Sequence, residues 1–396
     1  MLKPCLVLMS LWVATVGLAQ SQSQNQTQTQ NQTPPQGEPI TIGAILPFSG
    51  GLELFGEQAK AGIDLAVSEI NAAGGVYGRP LAVIYEDNKT DPKTSVEKAN
   101  KLIRQDGAIA LIGPITSNAR DAIQPTSARF GVPLLYATNY EGGVCPQDNV
   151  FAFNTVPNQE LAHLIPAMAI RSGKSFYLFG ADYVWPQKMF EAADQLIADI
   201  DGEVVGKSLT PFGVKDFTPS IRQIMRSEAD VLVFALPGAD GVTFMKQAIE
   251  LGLTKQVSIA FLGFSETYLG VFGAQSDLDI WVTVPFVSTL PAAQKFVQAV
   301  QASDKNIQGV SHYAFSHYTA IQFMANALNQ IDANQLSAKS LSQELSSTGV
   351  DALTGRVIMD ETHHVSLPMY LAHSQGERLE MVLPLGIKQP APNCQR

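Results

Sequence analysis

Short apolar runs alternate with amphipathic segments along most of the chain from residue 40 onward. Ala108–Ile112 and Asp230–Leu236 are mostly apolar and are followed by Gly or Pro, a pattern that predicts buried parallel strands. Between such runs, apolar residues recur at spacings of three and four, as at Ala59, Ile63, Ala66 and Ile70, which predicts helices with one buried face. Strands that alternate with helices indicate an α/β protein with parallel sheets.

This alternation occurs twice, which predicts two Rossmann-like lobes, because about 360 residues are too many for one hydrophobic core. The segment Phe151–Val156 is predicted to cross from the first lobe to the second, and Ile280–Phe286 to cross back. A hairpin at Met369–Leu383 would return the chain to the second lobe. The predicted first lobe comprises residues 39–152 and 287–350, and the second comprises residues 153–286 and 351–396.

The first 38 residues have a different composition. Lys3 precedes an apolar stretch that ends in small residues, so residues 1–19 are predicted to be a secretory signal peptide that is cleaved after Ala19. Residues 20–38 are rich in Gln, Asn, Ser and Thr, and such a segment is predicted to be a disordered linker. The expected location of the mature protein is the periplasm.

Charge and cysteine content narrow the functional classes. Without Lys3 the chain has 25 basic and 36 acidic residues, a net charge of −11, which argues against a nucleic-acid partner because phosphate binding needs clustered Lys and Arg. Only Cys145 and Cys394 follow the signal peptide. An exported compartment allows them to form a disulfide, and two separate thiols are the alternative.

Patterns typical of catalysis or metal binding are weak. Gly263–Thr267 begins like the nucleophile elbow of a hydrolase but lacks the closing Gly. His363 and His364 are adjacent on a predicted strand and would point to opposite faces. No spaced Cys/His set and no phosphate-binding loop with Lys occurs. We therefore predict no catalytic residue, no metal site, no cofactor and no enzymatic activity.

Polar and aromatic residues instead gather where the predicted strands end. Ligands in open α/β sheets bind outside the carboxyl ends of the strands, and a helix start with a side-chain hydroxyl can hold a polar group. Each such residue could also be a helix cap, a turn former or a packed ring. The candidate ligand-binding residues are Thr116, Ser117 and Thr138 in the first lobe and Tyr183, Trp185, Asp240 and Glu266 in the second.

Several motifs carry a family resemblance over roughly Ile40–Leu385. Ile70–Arg79, Gly113–Arg120, Tyr140–Gly142, Pro157–Gln159 and Gly180–Tyr183 resemble the type I periplasmic binding proteins of ABC importers, in the branch for branched-chain amino acids, short amides and urea. The Tyr-Glu-Gly and Pro-Asn-Gln motifs are similar to the amide and urea group in particular.

The resemblance implies a type I periplasmic binding protein fold: two lobes joined by three hinge crossings, which close on a small ligand. It implies that Ser117 and Thr138 hydrogen-bond the ligand, that Tyr136 and Tyr183 form pocket walls, and that Glu266 pairs with an ammonium or amide N–H. Asp240 is a second carboxylate available for an ammonium. The expected partners are the ligand and the membrane permease subunits of an ABC importer, and the protein is expected to be a monomer.

Three departures from the resembled pattern bear on the ligand. Ile115 stands where amide binders tend to have an aromatic residue, Asn139 stands for a Pro, and Trp185 stands for a Tyr. More apolar or larger walls favour short amides and apolar amino acids over urea. A ligand sensor that presents its ligand to a receptor is the alternative function, since both functions use the same closure.

Overall fold

Two β-sheets organise the part of the chain that the computed structural model describes, residues 35–272, 278–307, 309–353 and 355–394. The predicted signal peptide and residues 20–34 of the predicted linker lie outside the described residues. The signal peptide, its cleavage after Ala19 and the linker therefore stay predictions.

The first sheet has five strands, all parallel, in the order β2-β1-β3-β4-β5. Helix α2 shows why the sequence starts a helix where it does: the Asp91 carboxylate accepts a hydrogen bond from Thr94 N at 2.6 Å, and Pro92 occupies the first turn, both of which favour a helix start. The strands are β1 (Ile40–Leu46), β2 (Leu81–Asp87), β3 (Ala110–Ile112), β4 (Leu134–Tyr136) and β5 (Val150–Ala152), and the helices between them are α1 (Glu53–Ala72), α2 (Pro92–Arg104) and α3 (Ser117–Phe130).

The second sheet has seven strands in the order β14-β13-β10-β9-β8-β6-β7. Strands β6 to β10 are parallel, and the hairpin β13–β14 adds two antiparallel strands at one edge, in agreement with the predicted hairpin. The strands are β6 (Ser175–Ala181), β7 (Glu203–Thr210), β8 (Val231–Ala235), β9 (Ser258–Phe261), β10 (Ile280–Val284), β13 (Leu367–Gln375) and β14 (Arg378–Lys388). The helices are α4 (Pro157–Arg171), α5 (Val184–Asp199), α6 (Thr218–Arg226), α7 (Gly238–Leu251) and α8 (Glu266–Phe272).

Residues after β10 return to the first lobe. Helix α10 packs along α1 so closely that a Cβ on Gly62 would lie 2.0 Å from the Ala314 carbonyl oxygen, which explains a residue without a side chain at this contact. Farther along the same helices, the Tyr318 hydroxyl donates to Glu69 Oε2 at 2.6 Å. The elements of this return are α9 (Gln294–Ser303), α10 (His312–Leu328), α11 (Ala338–Leu345) and the small antiparallel pair β11 (Gly349–Ala352) and β12 (Gly355–Ile358).

Two predicted crossings need correction. Residues 280–284 form β10, which pairs with β9 on one side and β13 on the other, so the chain leaves the second lobe only after Val284. Likewise Val150–Ala152 is a strand of the first sheet, and the first crossing begins at Phe153. A buried strand and a buried connection are both apolar, so their sequences look alike. The predicted fold class, two Rossmann-like lobes joined by crossings, is confirmed.

The C-terminal segment runs from β14 across to the first lobe. Asn158 holds it at two points, since its Nδ2 donates to Gln389 O at 2.8 Å and its Oδ1 accepts from Ala391 N at 2.7 Å. Beyond them Cys394 and Cys145 form a disulfide with a Cα–Cα distance of 5.4 Å. This bond links residues 249 positions apart, so it closes a loop that contains β5 of the first sheet and the whole second sheet.

Candidate functional site

A cavity lies between the lobes where the carboxyl ends of both sets of parallel strands meet. The first lobe contributes Leu52, Phe55, Ile115, Ser117, Thr138 and Asn139. The second lobe contributes Tyr183, Trp185, Pro237 and Gly263, and Tyr313 is added from α10. The cavity volume is about 20 Å³, close to the space of one water molecule. The side chains of the two lobes therefore meet closely around this point.

Ser117 is the first residue of α3, and its side chain is hydrogen-bonded to a buried ion pair. Its hydroxyl donates to Glu141 Oε2 at 2.6 Å, and the other carboxylate oxygen of Glu141 accepts from Arg120 Nη2 at 2.8 Å. The side chains of Arg120 and Glu141 are 3% and 6% exposed. The guanidinium carbon lies 5.0 Å and 4.6 Å from the ring centres of Tyr136 and Tyr140, contacts that favour a buried cation.

Two threonine hydroxyls near Ser117 have no hydrogen-bond partner among the described residues. Thr116 is the N-cap of α3, but its side chain makes no capping bond. Thr138 follows β4, and its buried Oγ1 is also unpartnered. An unpaired buried hydroxyl costs free energy. Thr138 lines the cavity, so its oxygen is available to a bound polar group, whereas Thr116 is not among the lining residues.

The second lobe contributes two aromatic rings from the start of α5. Tyr183 and Trp185 pack with their ring centres 6.2 Å apart. The Trp185 ring is 5% exposed, and its Nε1–H has no acceptor among the described residues. Burial raises the pKa of Tyr183 well above its ordinary value, so its hydroxyl keeps its proton. The rings form an apolar wall that also offers hydrogen-bond donors.

Asn139, Tyr313 and Glu160 belong to the site region but were not among the predicted site residues. The Tyr313 hydroxyl donates to Asn139 Oδ1 at 2.9 Å, and Asn139 Nδ2 donates to Glu160 Oε2 at 3.3 Å. Asn139 follows Thr138 at the same strand end, so the strand-end pattern could have identified it as a site residue. Tyr313 lies on a helix that looks like ordinary first-lobe packing, and only the tertiary structure brings it to the cavity.

Tyr136 lies behind the cavity wall. It is fully buried, and its hydroxyl donates to Ile115 O at 2.9 Å. It therefore supports the turn that carries Ile115 and Ser117, and it does not line the cavity.

The structure places Asp240 and Glu266 away from the cavity that contains Ser117. Asp240 Oδ2 accepts from Gly213 N at 2.7 Å and so holds the loop after β7. Glu266 Oε1 accepts from Ser288 N at 2.9 Å, and Glu266 borders a separate cavity of about 620 Å³. Burial raises the pKa of Glu266 to about 7. Both residues start helices at strand ends as predicted, but their side chains bond to the loops beside them.

Metal binding receives no support from the described residues, which contain no group of three or more His, Cys, Asp or Glu able to hold an ion. His363 lies in a bend and His364 forms an isolated β-bridge with Ala152, so neither belongs to a regular strand. His364 stacks on the Tyr140 ring and forms a hydrogen bond with the Tyr140 hydroxyl. Within the same described ranges, no helix is long and apolar enough to span a membrane.

Two lobes whose strand ends meet around a small cavity lined by hydroxyl groups and aromatic rings are typical of a small-molecule binding protein. The family model described as "Periplasmic binding protein" matches residues 39–378, and the chain belongs to this family. This confirms the predicted family and the predicted binding role alongside an ABC transporter, and it implies an exported or periplasmic location. The family is one of substrate-binding proteins and not of enzymes.

Individual relatives agree with this assignment. Leu/Ile/Val-binding protein homolog 3 of Brucella melitensis is 25% identical over 338 residues, which cover 84% of this chain and 90% of the relative. The substrate-binding protein LivJ from Streptococcus pneumoniae, solved with isoleucine, superposes with a TM-score of 0.78 at 22% identity and covers 89% of this chain and 100% of its own. A solute-binding protein from R. palustris, solved with 4-hydroxybenzoate, gives a TM-score of 0.79 at 20% identity, with coverages of 89% and 98%.

Proposed function

We infer that this protein is the substrate-binding component of an ABC importer, which captures a small polar ligand between its lobes and delivers it to the membrane permease subunits. The cavity between the strand ends carries this inference, because it combines hydroxyl groups, an indole N–H and apolar walls. The ligand class that fits these groups is a short amide, urea, or a branched-chain or other apolar amino acid.

The cavity lining favours a ligand without uncompensated charge. Among the described residues that line it, none is Asp, Glu, Lys or Arg, and an unpaired charge in such a site would lose its hydration without replacement. Ile115 and Trp185 add apolar area, so short amides and apolar amino acids are placed ahead of urea. The isoleucine and 4-hydroxybenzoate of the two solved relatives likewise join an apolar part to a polar end.

We assign ligand contact to Ser117, Thr138, Tyr183 and Trp185, with Thr116 beside them and Tyr136 as support from behind. Asp240 and Glu266 are left out of this set because they bond to neighbouring loops. The disulfide Cys145–Cys394 is assigned a structural role.

The remaining assignments follow from this function. The chain is exported and cleaved after Ala19, and the mature protein is a monomer. The lobes keep the predicted bounds, residues 39–152 with 287–350 and residues 153–286 with 351–396, except that the end of β11 and β12 (Gly355–Ile358) stay with the first lobe because these two strands pair with each other. No turnover is expected, so a bound ligand should be recovered chemically unchanged after incubation with the purified protein.

A thermal-shift panel of urea, short amides, and branched-chain and aromatic amino acids tests the ligand class. A ligand at about 100 times its dissociation constant stabilises the folded state by roughly 2.7 kcal/mol. Ser117→Ala and Tyr183→Ala should each weaken binding of the positive compound by about 1 to 3 kcal/mol. If none of the panel raises the melting temperature while an unrelated sugar or a metal ion does, the ligand class is wrong.

A further inference from the structure

The ion pair behind Ser117 determines which hydrogen-bonding role that residue can play in the cavity. A carboxylate only accepts hydrogen bonds, so the 2.6 Å contact with Glu141 uses the single proton of the Ser117 hydroxyl. Arg120 pairs with the other oxygen of the same carboxylate at 2.8 Å, and both charged side chains are almost fully buried. Charge-assisted bonds of this kind are strong, so the Ser117 hydroxyl keeps donating its proton to the Glu141 carboxylate.

The neighbouring hydroxyl of Tyr136 does not change this arrangement. Tyr136 donates its own proton to Ile115 O at 2.9 Å, so it has none left to give to Ser117. The Ser117 oxygen therefore offers the ligand only lone pairs. A ligand group at this position must supply an N–H or O–H.

Two other groups that line the cavity have the complementary property. Trp185 Nε1–H is a donor without an acceptor, and Thr138 Oγ1 has no partner and can donate. A carbonyl oxygen near these donors and an N–H near Ser117 would satisfy all three groups. A carboxylate placed at Ser117 would instead oppose a lone pair, with the Glu141 carboxylate directly behind it.

We propose that Glu141, held in place by Arg120, is a specificity-determining residue that makes Ser117 accept an N–H from the ligand and so selects carboxamides over the matching carboxylates. This proposal rests on the proposed function and defines its ligand class more narrowly. An amino acid bound in this site places its ammonium group at Ser117, and its carboxylate lies elsewhere in the cavity.

Isothermal titration of the mature protein with two matched pairs, acetamide with acetate and butyramide with butyrate, tests the proposal. The members of each pair have nearly the same shape but differ both in the N–H donor and in charge, so the Glu141 variants below separate the two effects. We expect the amide to bind at least about tenfold more tightly than the acid, the scale of one lost hydrogen bond to a buried group. Ser117→Ala should weaken amide binding by about tenfold and change acid binding little.

Glu141→Gln isolates the orienting role. The glutamine amide can donate to Ser117, which frees the Ser117 proton for a carboxylate, so the amide-to-acid ratio of affinities should fall toward one. Because this variant leaves the buried Arg120 guanidinium with Asp121 as its remaining ion-pair partner, the double variant Arg120→Gln/Glu141→Gln is measured beside it. Ser127→Ala is the matched control, since Ser127 is buried on the same helix and its hydroxyl donates to Val132 O.

Each outcome has a defined meaning. An acid that binds the unmodified protein as tightly as its amide overturns the proposal but leaves the proposed function intact. A ratio that stays at its original value in both Glu141 variants also overturns it. Failure of all four probes to bind contradicts amide binding itself and therefore the proposal; if apolar amino acids then bind, the broader proposed function stands.

Discussion

Glu160 provides a stability prediction that can be worked out from its surroundings. It is fully buried at the start of α4, where Oε2 accepts two long bonds, from Asn139 Nδ2 and Thr155 Oγ1, both at 3.3 Å, and the Gly263 backbone also favours the ionised form. Oε1 has no partner among the described residues. Burial in this setting raises the pKa of Glu160 from 4.5 to about 7, because the ionised form loses hydration without a nearby cation to replace it.

The direction of the effect follows from where the proton is held. Between pH 4.5 and pH 7 the folded protein keeps this proton while the unfolded chain releases it, so folding becomes less favourable as the pH rises. The difference between 4.5 and about 7, at about 1.4 kcal/mol per pH unit, corresponds to about 3 kcal/mol. This contribution is fully present below pH 4.5 and is lost by about pH 7 to 8.

Glu160→Gln keeps the shape and removes the ionisation. We expect the free energy of unfolding to be within about 1 kcal/mol of the original at pH 5 and higher by up to about 3 kcal/mol at pH 8. Urea unfolding followed by circular dichroism at pH 5, 6, 7 and 8 measures this. Glu266, whose pKa is also raised by burial to about 7, should keep part of the pH dependence in the variant.

Glu191→Gln is the control, because Glu191 is exposed and pairs only with Lys188 in the ion pairs of the described residues. It should reproduce the pH dependence of the original protein. If Glu160→Gln loses as much stability between pH 5 and pH 8 as the original protein does, Glu160 is not the buried acid that the structure indicates, and the reasoning fails.

Three further predictions concern the ligand, the disulfide and the lobes. Thr138→Val should weaken binding of the panel's positive compound by about 1 to 3 kcal/mol without lowering the ligand-free melting temperature, since the hydroxyl has no protein partner; unchanged affinity by titration calorimetry would remove Thr138 from the site. Cys394→Ser should lower the free energy of unfolding by about 3 to 5 kcal/mol, because the bond to Cys145 closes a very long loop. Intact mass after alkylation with and without reductant checks that bond, and two free thiols in untreated protein would contradict it. Small-angle scattering should give a smaller radius of gyration with saturating ligand, and an unchanged profile would count against closure.

The local sequence predicted most of the secondary structure because the relevant interactions are short in range. Helix α2 starts at Asp91-Pro92 because the Asp91 side chain caps the backbone N–H three residues later. The apolar run before Gly113 needs only burial to become β3. The same logic brought Ser117 and Trp185 to one cavity, since the carboxyl ends of parallel strands share an edge of the sheet.

Other features were decided only by residues far apart in the chain. Residues 280–284 of the run Ile280–Phe286 form a strand and not a crossing because β9 and β13 lie on either side of them. The Asp240 carboxylate accepts a hydrogen bond from Gly213 N, and the Glu266 carboxylate accepts one from Ser288 N. Helix-start patterns do not reveal these partners.

The assembly of the site shows the same division. Sequence patterns placed Ser117 at a helix start. Its hydrogen bond to Glu141, 24 residues later, exists only in the folded chain, and so does the hydrogen bond of Tyr313 to Asn139, 174 residues apart. The family motifs identified the binding role from local residues. The direction of each hydrogen bond in the cavity depends on which buried groups already have partners, and that is a property of tertiary packing.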